Sequence, residues 1–148
     1  IVVLEDNFEV VKRAVSGEVL KQAVRAAGGV VETNAKMNAS AGRPGLNMIT
    51  GNLVNSIKVQ DGNSTNIHAE VTVGPSDVEY AAIHEFGGDI EPVNAKMLAF
   101  EIDGEMIFAK KVHIPARPYM RPAVDEHEEE IRAAMEEQIG GAIKKVIS

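Results

Sequence analysis

Cysteine and tryptophan are absent from the 148-residue sequence, and aromatic residues make up only 4% of it. Without cysteine the chain can form no disulfide, no thiolate zinc site, no iron–sulfur cluster and no cysteine nucleophile. A cysteine-free composition agrees with folding in a reducing cytoplasm. The scarcity of aromatic residues argues against a platform on which nucleic-acid bases stack.

A surplus of basic charge and long apolar runs are also lacking. Acidic residues outnumber basic ones by 22 to 15, which gives a net charge of −7. Nucleic-acid binding relies on clustered lysine and arginine, and the longest basic runs here are the pairs Lys110-Lys111 and Lys144-Lys145. Apolar runs are far shorter than the ~20 residues that cross a bilayer, and the first four residues lack the charged region of a signal peptide. We therefore expect neither tight DNA binding nor a membrane anchor.

Two long amphipathic helices frame the sequence. Apolar residues recur at spacings of three and four from about Asn7 to Lys36, which predicts a helix with one buried face. Gly28-Gly29 lies within it and costs about 1 kcal/mol per glycine relative to alanine. The pair indicates a kink, a close helix contact or simply a locally weak helix. Pro122 suits the first residue of a final helix. The predicted inner face of that helix carries Val124, Ile131, Met135, Gln138, Ile139, Ala142 and Val146.

Strand patterns occupy the middle of the sequence. Val54–Val59 predicts a short strand, and the alternation of apolar and polar residues over 67–73 predicts a half-buried strand. The Asp103-Gly104 dipeptide favours a tight hairpin turn between strands at 97–102 and 105–114. Across this turn we expect one face to pair Leu98, Phe100 and Ile102 with Met106 and Phe108.

A short helix and a loop complete the predicted elements. Ser76 and Glu79 form a candidate capping box for a short helix that runs through Phe86, with Gly87 as a left-handed cap. The segment 38–49 has glycine and proline at punctuating positions and no period, which predicts a flexible loop. The length fits a single domain spanning 1–148. The fold class is expected to be α+β, with long N- and C-terminal helices packed on a small antiparallel sheet with one short helix.

No catalytic motif emerges from the titratable residues. His84-Glu85 would need a second histidine at position 88 to form a zinc-binding helix, and that position is Gly88. His84, Glu85 and His113 could still converge in space on a metal ion, so a small metal-dependent hydrolase remains the alternative from a different functional class. The acidic residues from Asp125 to Glu130 suit a solvated helix face near the positive end of the helix dipole.

Three segments of the sequence together resemble one protein family. Residues 50–57, TGNLVNSI, match the element T-G-x-L-x-x-S-I that follows the first helix in phage tail-completion proteins. Residues 80–87, YAAIHEFG, resemble the family's Y-A-x-x-x-E-F-G segment, and residues 114–123, IPARPYMRPA, resemble its A-R-P-F-x-R-P-A element before the last helix. Tyr119 stands where the family usually has phenylalanine. The motif residues are Thr50, Gly51, Leu53, Ser56, Tyr80, Glu85, Phe86, Gly87, Arg117, Pro118, Arg121 and Pro122.

The family is the tail-completion, or head–tail joining, group of long-tailed bacteriophages, and the sequence is also similar to the Mu-type virion morphogenesis proteins. The resemblance implies a small structural subunit without catalysis or cofactor, assembling as a homo-oligomeric, typically hexameric ring. It implies the tail tube protein and the head connector as partners, with genomic DNA passing through without specific binding. It also implies a place in the virion, at the head–tail junction, after assembly in the host bacterial cytoplasm. A tail terminator that caps the tube is the nearest alternative.

Several motif residues also have a physical interpretation. Thr50 can cap a short turn, and Gly51 permits a tight path into the following strand. Phe86 is expected in the core. Arg117 lies between prolines on a rigid segment, where it could pair with an acidic group on a neighbouring subunit. The alternative, compatible with the first, is that Pro118 and Pro122 simply fix the corner into the last helix.

A closed ring built from identical subunits needs two different patches on each subunit. We expect the loop 38–49, with Arg43, and the hairpin tip, with Asp103 and Gly104, to supply these contacts. The acidic net charge fits a channel that lets DNA slide rather than bind.

Overall fold

The computed structural model describes residues 9, 11–42, 51–78, 80–102 and 104–147. Within these residues the chain forms two long helices, three short ones and six short strands, besides the helical residues 11–14. This confirms the α+β class, although more than the single short helix expected is present. The elements in chain order are α1 (Gly17–Met37), a π-helical turn (Asn38–Gly42), α2 (Asn52–Ser56), β1 (Ile57–Ser64), β2 (Ala69–Pro75), α3 (Ala81–Phe86), β3 (Gly88–Ile90), β4 (Leu98–Ile102), β5 (Glu105–Ala109), β6 (Val112–Ile114), α4 (Met120–Asp125) and α5 (Glu128–Ile147).

The first long helix begins later than its apolar pattern predicted. Residues 11–14 are helical, but the chain bends before Gly17, and Ser16 has an extended backbone with φ −75° and ψ 166°. A side chain at Gly17 would collide with the backbone carbonyl of Thr65, so the start of α1 packs closely against the turn that joins β1 to β2. The prediction of one unbroken helix from Asn7 is therefore wrong, because residues 15 and 16 are not helical. Residues 7 and 8 lie outside the described residues.

α1 passes through its two central glycines without a break and makes a close contact there. A Cβ atom on Gly28 would lie 3.1 Å from Val59 Cγ1 and 3.2 Å from Val71 Cγ2, so α1 approaches β1 and β2 closely at this point. Gly29 faces open space. The close contact expected from the sequence is confirmed, and the packing of α1 on two strands offsets the low helix propensity of glycine.

Residues 38–42 continue α1 as a π-helical turn, where the sequence predicted the start of a loop. The Asn38 amide donates a hydrogen bond to the backbone carbonyl of Tyr119 at 3.1 Å, and Ala39 is buried at 3% exposure. These long-range contacts hold the turn against the body of the fold, which local composition could not show. The rest of the predicted loop, 43–49, lies outside the described residues.

The strands of the described chain form three antiparallel pairs, β1 with β2, β3 with β6, and β4 with β5. The strand expected at Val54–Val59 is corrected, because its first three residues belong to α2 and β1 starts only at Ile57. β2 shows the predicted alternation from Ala69 onward, whereas Ile67 precedes it and is 91% exposed. The last predicted strand is interrupted at 110–111, because β6 leaves the hairpin to pair with β3.

The β4–β5 hairpin is confirmed, but its side chains pair differently from the expectation. Its register places Ile102 opposite Glu105, Phe100 opposite Ile107 and Ala99 opposite Phe108. Met106 lies opposite Glu101. The predicted pairing of Phe100 with Met106 and Phe108 on one face is therefore wrong, because directly opposite residues share a face and their neighbours along the strand point the other way.

The C-terminal region consists of two helices rather than one. Pro122 is the third residue of α4, and the chain turns at 126–127 before α5 begins at Glu128. α5 runs along α1. None of its residues is fully buried, so the inner face predicted from Ile131 to Val146 is only partly covered.

Candidate functional site

The three motif segments meet in one small hydrophobic core. Tyr119 is 1% exposed and Ile57 is completely buried, and they are the largest fully buried side chains among the described residues. Most of the other core residues are alanines, which allow helices to approach one another closely. The complete cluster consists of Ala35, Ala39, Leu53, Ile57, Ala81, Tyr119 and Ala123.

The Glu85 carboxylate joins the second motif to the third. Its Oε2 accepts hydrogen bonds from the backbone N–H groups of Tyr119 at 2.7 Å and Met120 at 2.9 Å. Its Oε1 accepts a third from the N–H of Arg121 at 3.0 Å. The first N–H groups of a helix have no partner within the helix, and the residue before α4 supplies no side-chain cap. A glutamate on α3 therefore caps the N-terminus of α4, where its negative charge also suits the helix dipole.

Further contacts hold the same two segments together. The Tyr119 hydroxyl lies 3.4 Å from the carbonyl of Ala81, and the Arg117 N–H donates to the carbonyl of His84 at 2.7 Å. The pKa of Tyr119 is raised to about 12, mainly by burial of the side chain and to a smaller extent by the nearby Glu85 charge. Its hydroxyl therefore stays protonated and acts as a donor. The backbone contact of Arg117 holds the segment before α4 against α3, while the pairing of its side chain with a neighbouring subunit stays a prediction.

Phe86 corrects the sequence expectation for the second motif. Its ring is 71% exposed, although it was expected in the core. Ala81 and Glu85 are four residues apart and share the face of α3 that turns toward Tyr119, which leaves Phe86 on another side of this short helix. The phenyl ring is thus free for contacts outside the chain.

Gly87 ends α3 with the positive φ of +69° expected of a glycine cap, but its ψ of −178° lies outside the left-handed helical region that the sequence predicted. Its N–H donates to the carbonyl of Ile83 at 2.9 Å, and a Cβ atom there would lie 2.6 Å from the backbone nitrogen of Ala116. Two constraints therefore require glycine: the backbone angle and the close passage of the third motif segment.

We expect Gly87→Ala to lower the free energy of unfolding by about 1–3 kcal/mol, because the new methyl group meets both constraints. Urea denaturation followed by circular dichroism measures the change. Gly29→Ala is the matched control, because Gly29 lies in a helix facing open space, where alanine should be neutral or stabilising. Equal effects of the two substitutions would contradict the role assigned to Gly87.

The remaining motif and interface residues have separate places. Gly51, with φ +74°, precedes α2, so its tight turn leads into a helix rather than directly into the predicted strand. The Ser56 hydroxyl donates to the carbonyl of Leu53 at 2.8 Å. Gly104, with φ +85°, is exposed at the hairpin tip. Three predicted site residues lie outside the described residues: Arg43, Thr50 and Asp103.

The histidines and acids considered as metal ligands do not come together. Glu85 binds backbone N–H groups, and His113 Nδ1 lies 2.8 Å from Asp89 Oδ1 across the β3–β6 pair. Asp89 also pairs with Lys111 at 2.8 Å. Hydrogen bonds from Lys111 and then His113 lower the pKa of Asp89. In the described part of the chain, no three His, Asp or Glu side chains group to hold a metal ion.

His84 is partly buried and packs edge-on against Tyr80, with ring centroids 5.6 Å apart. Its Nδ1 is buried without a hydrogen-bond partner. Burial and, next, the charge of Arg117 lower the pKa of His84 below the ordinary 6.5.

The lowered pKa of His84 predicts a pH dependence of stability. The unfolded chain binds the proton more readily than the folded one, so the stability is complete above about pH 6.5 and declines as the pH falls below it. NMR titration of the His84 ring should show a pKa below the ordinary 6.5. His84→Gln should flatten the decline of the urea midpoint in this window, whereas His68→Gln, at an exposed position, should leave it unchanged. An unaltered decline in His84→Gln would contradict the prediction.

Comparison with known proteins agrees with the motif series. The phage virion morphogenesis family matches residues 29–146, a span that contains all three motif segments. Neither the curated proteins nor the solved structures gave a match. No helix in the described residues is long and apolar enough to cross a membrane. The resemblance inferred from the sequence is confirmed: the chain belongs to the phage virion morphogenesis family, and its role is structural, in the assembly of the phage particle.

Proposed function

We propose that this chain is a head–tail joining subunit. Copies of it would form a closed, hexameric ring at the top of the tail tube, onto which the connector of a DNA-filled head docks. Membership of a virion morphogenesis family supports an assembly role. Three motif residues support it as well. Glu85, Gly87 and Tyr119 all make contacts that hold the fold together, which is a structural and not a catalytic use of these residues.

Large apolar side chains on the surface are the observation that carries the proposal. Phe86 is 71% exposed, Phe108 is 60% exposed and Met106 is 56% exposed. Contiguous exposed apolar surface in a small protein marks an interaction site. A subunit that acts by docking against copies of itself and against the tail tube and connector needs such surfaces.

The net charge of −7 suits a ring that DNA crosses. Negative charge along a channel repels phosphates and leaves the polymer free to slide. The assembled ring is therefore expected not to retain duplex DNA at physiological salt in a filter-binding assay. A ring with a strongly basic lumen, or one that retains DNA, would contradict this part of the proposal.

Deletion of the gene from its phage tests the function directly. The proposal expects tails of normal length and DNA-filled heads that accumulate unjoined, as seen by electron microscopy. Adding the purified protein to this lysate should restore joined, infectious particles. Tails of uncontrolled length would instead assign the chain to termination of the tail tube, and unaffected joining would overturn the proposal.

A further inference from the structure

The β4–β5 hairpin presents an uncovered apolar face. Met106 and Phe108 lie on this face with Ala99 and Glu101 opposite them, and all four are exposed. A two-stranded hairpin is only marginally stable in water by itself. β4 and β5 pair with each other and with no other described strand. This face therefore gains stability when another surface covers it.

A groove of matching character lies between β2, α3 and α4. It has a volume of about 540 Å³ and is lined mainly by apolar residues. Val73, Val78 and Met120 form part of its wall, and the exposed ring of Phe86 stands beside them. Because Phe86 and the hairpin face are both exposed, the hairpin of the same chain does not fill this groove.

The charges of the two surfaces are complementary. Glu101 is exposed on the hairpin face, next to the apolar residues. Arg121 is exposed and lines the groove. In the described chain, neither side chain forms an ion pair with an oppositely charged residue. Complementary charges at the rim of an apolar contact favour the correct partner and register.

We propose that the hairpin of one copy occupies the groove of the next copy, with Met106 and Phe108 against Phe86 and Met120 and with Glu101 near Arg121. This inference rests on the proposed ring and names the contact that builds it. The two surfaces differ, so the contact is heterologous, which is the type that closes into rings. Glu85 lines the groove, so its hydrogen bonds to the start of α4, which fix α3 and α4 relative to each other, also shape the receiving surface.

The cysteine-free sequence permits a direct test with the full chain. Ala99→Cys labels the hairpin face and Ala82→Cys labels the groove, and both are small changes at exposed positions. The two proteins are mixed, oxidised mildly and separated under denaturing conditions without reductant. Ala133→Cys, at an exposed position on α5, replaces the groove label as the matched control.

The proposal expects the mixed disulfide of Ala99→Cys with Ala82→Cys to exceed the Ala99→Cys and Ala133→Cys pair about tenfold, because contact raises the effective concentration of the thiols. Equal yields, or no mixed disulfide in the presence or absence of purified tails, overturn it. Cross-linking of Ala99→Cys to a tail protein instead also overturns it. If these same proteins still join heads to tails, the proposed function stands without this contact.

Charge reversal gives a second readout. Glu101→Arg in the hairpin-labelled protein and Arg121→Glu in the groove-labelled protein should each reduce the mixed disulfide, and the two together should restore it. Failure of the combination to restore the yield would overturn the assigned register. The cysteine pair without charge reversal decides whether the contact exists. It leaves Arg121 unchanged, so it does not place a new negative charge beside the Glu85 cap.

Discussion

Replacing Tyr119 by alanine should lower the free energy of unfolding by about 3–5 kcal/mol, the range for removing a large aromatic side chain from a core. Tyr119 is 1% exposed and lies where the three motif segments meet. Its neighbours Ala35, Ala81 and Ala123 have short side chains that cannot fill the space left behind. Because the free energy of unfolding of natural domains is only about 5–15 kcal/mol, this substitution should remove a large part of the stability of the fold.

Urea denaturation followed by circular dichroism measures this effect, and two variants provide its controls. Tyr119→Phe keeps the ring and removes only the hydroxyl contact with Ala81, so a loss of about 0.5–1.5 kcal/mol is expected. Tyr80→Ala removes the other tyrosine of the chain, which is 42% exposed, and should have a much smaller effect than Tyr119→Ala. Similar losses from the two alanine variants would contradict the central position of Tyr119.

Replacing Glu85 by alanine should lower the free energy of unfolding by about 2–4 kcal/mol, because three backbone N–H groups lose a charged acceptor at once. These groups belong to Tyr119, Met120 and Arg121. The same change removes three of the hydrogen bonds that hold the third motif against α3. Under the proposed function, the variant added to the deletion lysate should also restore less head–tail joining than the wild type at temperatures where it is still folded.

Glu85→Gln tests the contribution of charge and of the second oxygen. This variant retains one carbonyl oxygen as acceptor. Its free energy of unfolding should therefore lie between those of the wild type and Glu85→Ala. Glu91→Ala is the matched control, because Glu91 lies on the surface 3.4 Å from Lys111 and exposed ion pairs contribute about 0–1 kcal/mol. If Glu85→Ala were no more destabilising than Glu91→Ala, the helix cap would not contribute measurably to the free energy of unfolding, and the prediction would be wrong.

The hairpin shows what the sequence determines and where our interpretation went wrong. The Asp103-Gly104 pair between apolar runs correctly predicted a hairpin. A connection of two residues places Ile102 opposite Glu105 and therefore Met106 opposite Glu101. Counting outward from the turn shows which residues lie opposite each other and therefore share a face of the hairpin. The sequence thus contained the correct register, and the prediction misassigned it.

Other features depend on contacts that no local pattern encodes. Glu85 caps backbone groups 34 to 36 residues further along the chain, and a lone glutamate near the end of a short helix carries no sign of that role. The pairing of β3 with β6 likewise spans the intervening hairpin. Helical period and turn composition predicted the elements, whereas the meeting of the motifs in one core followed only from tertiary packing. The motif series is the most informative part of the sequence, because it indicates the family without reference to any tertiary contact.

The incomplete burial of α5 has a consequence for the motions of the subunit. Its 20 residues lie along α1 without one being fully buried, whereas α1 buries several alanines and Gly28. Segments with few buried contacts open at lower free energy than the whole molecule unfolds. Amide hydrogens of α5 should accordingly exchange with deuterium before those of α1, through opening events that leave the motif core folded.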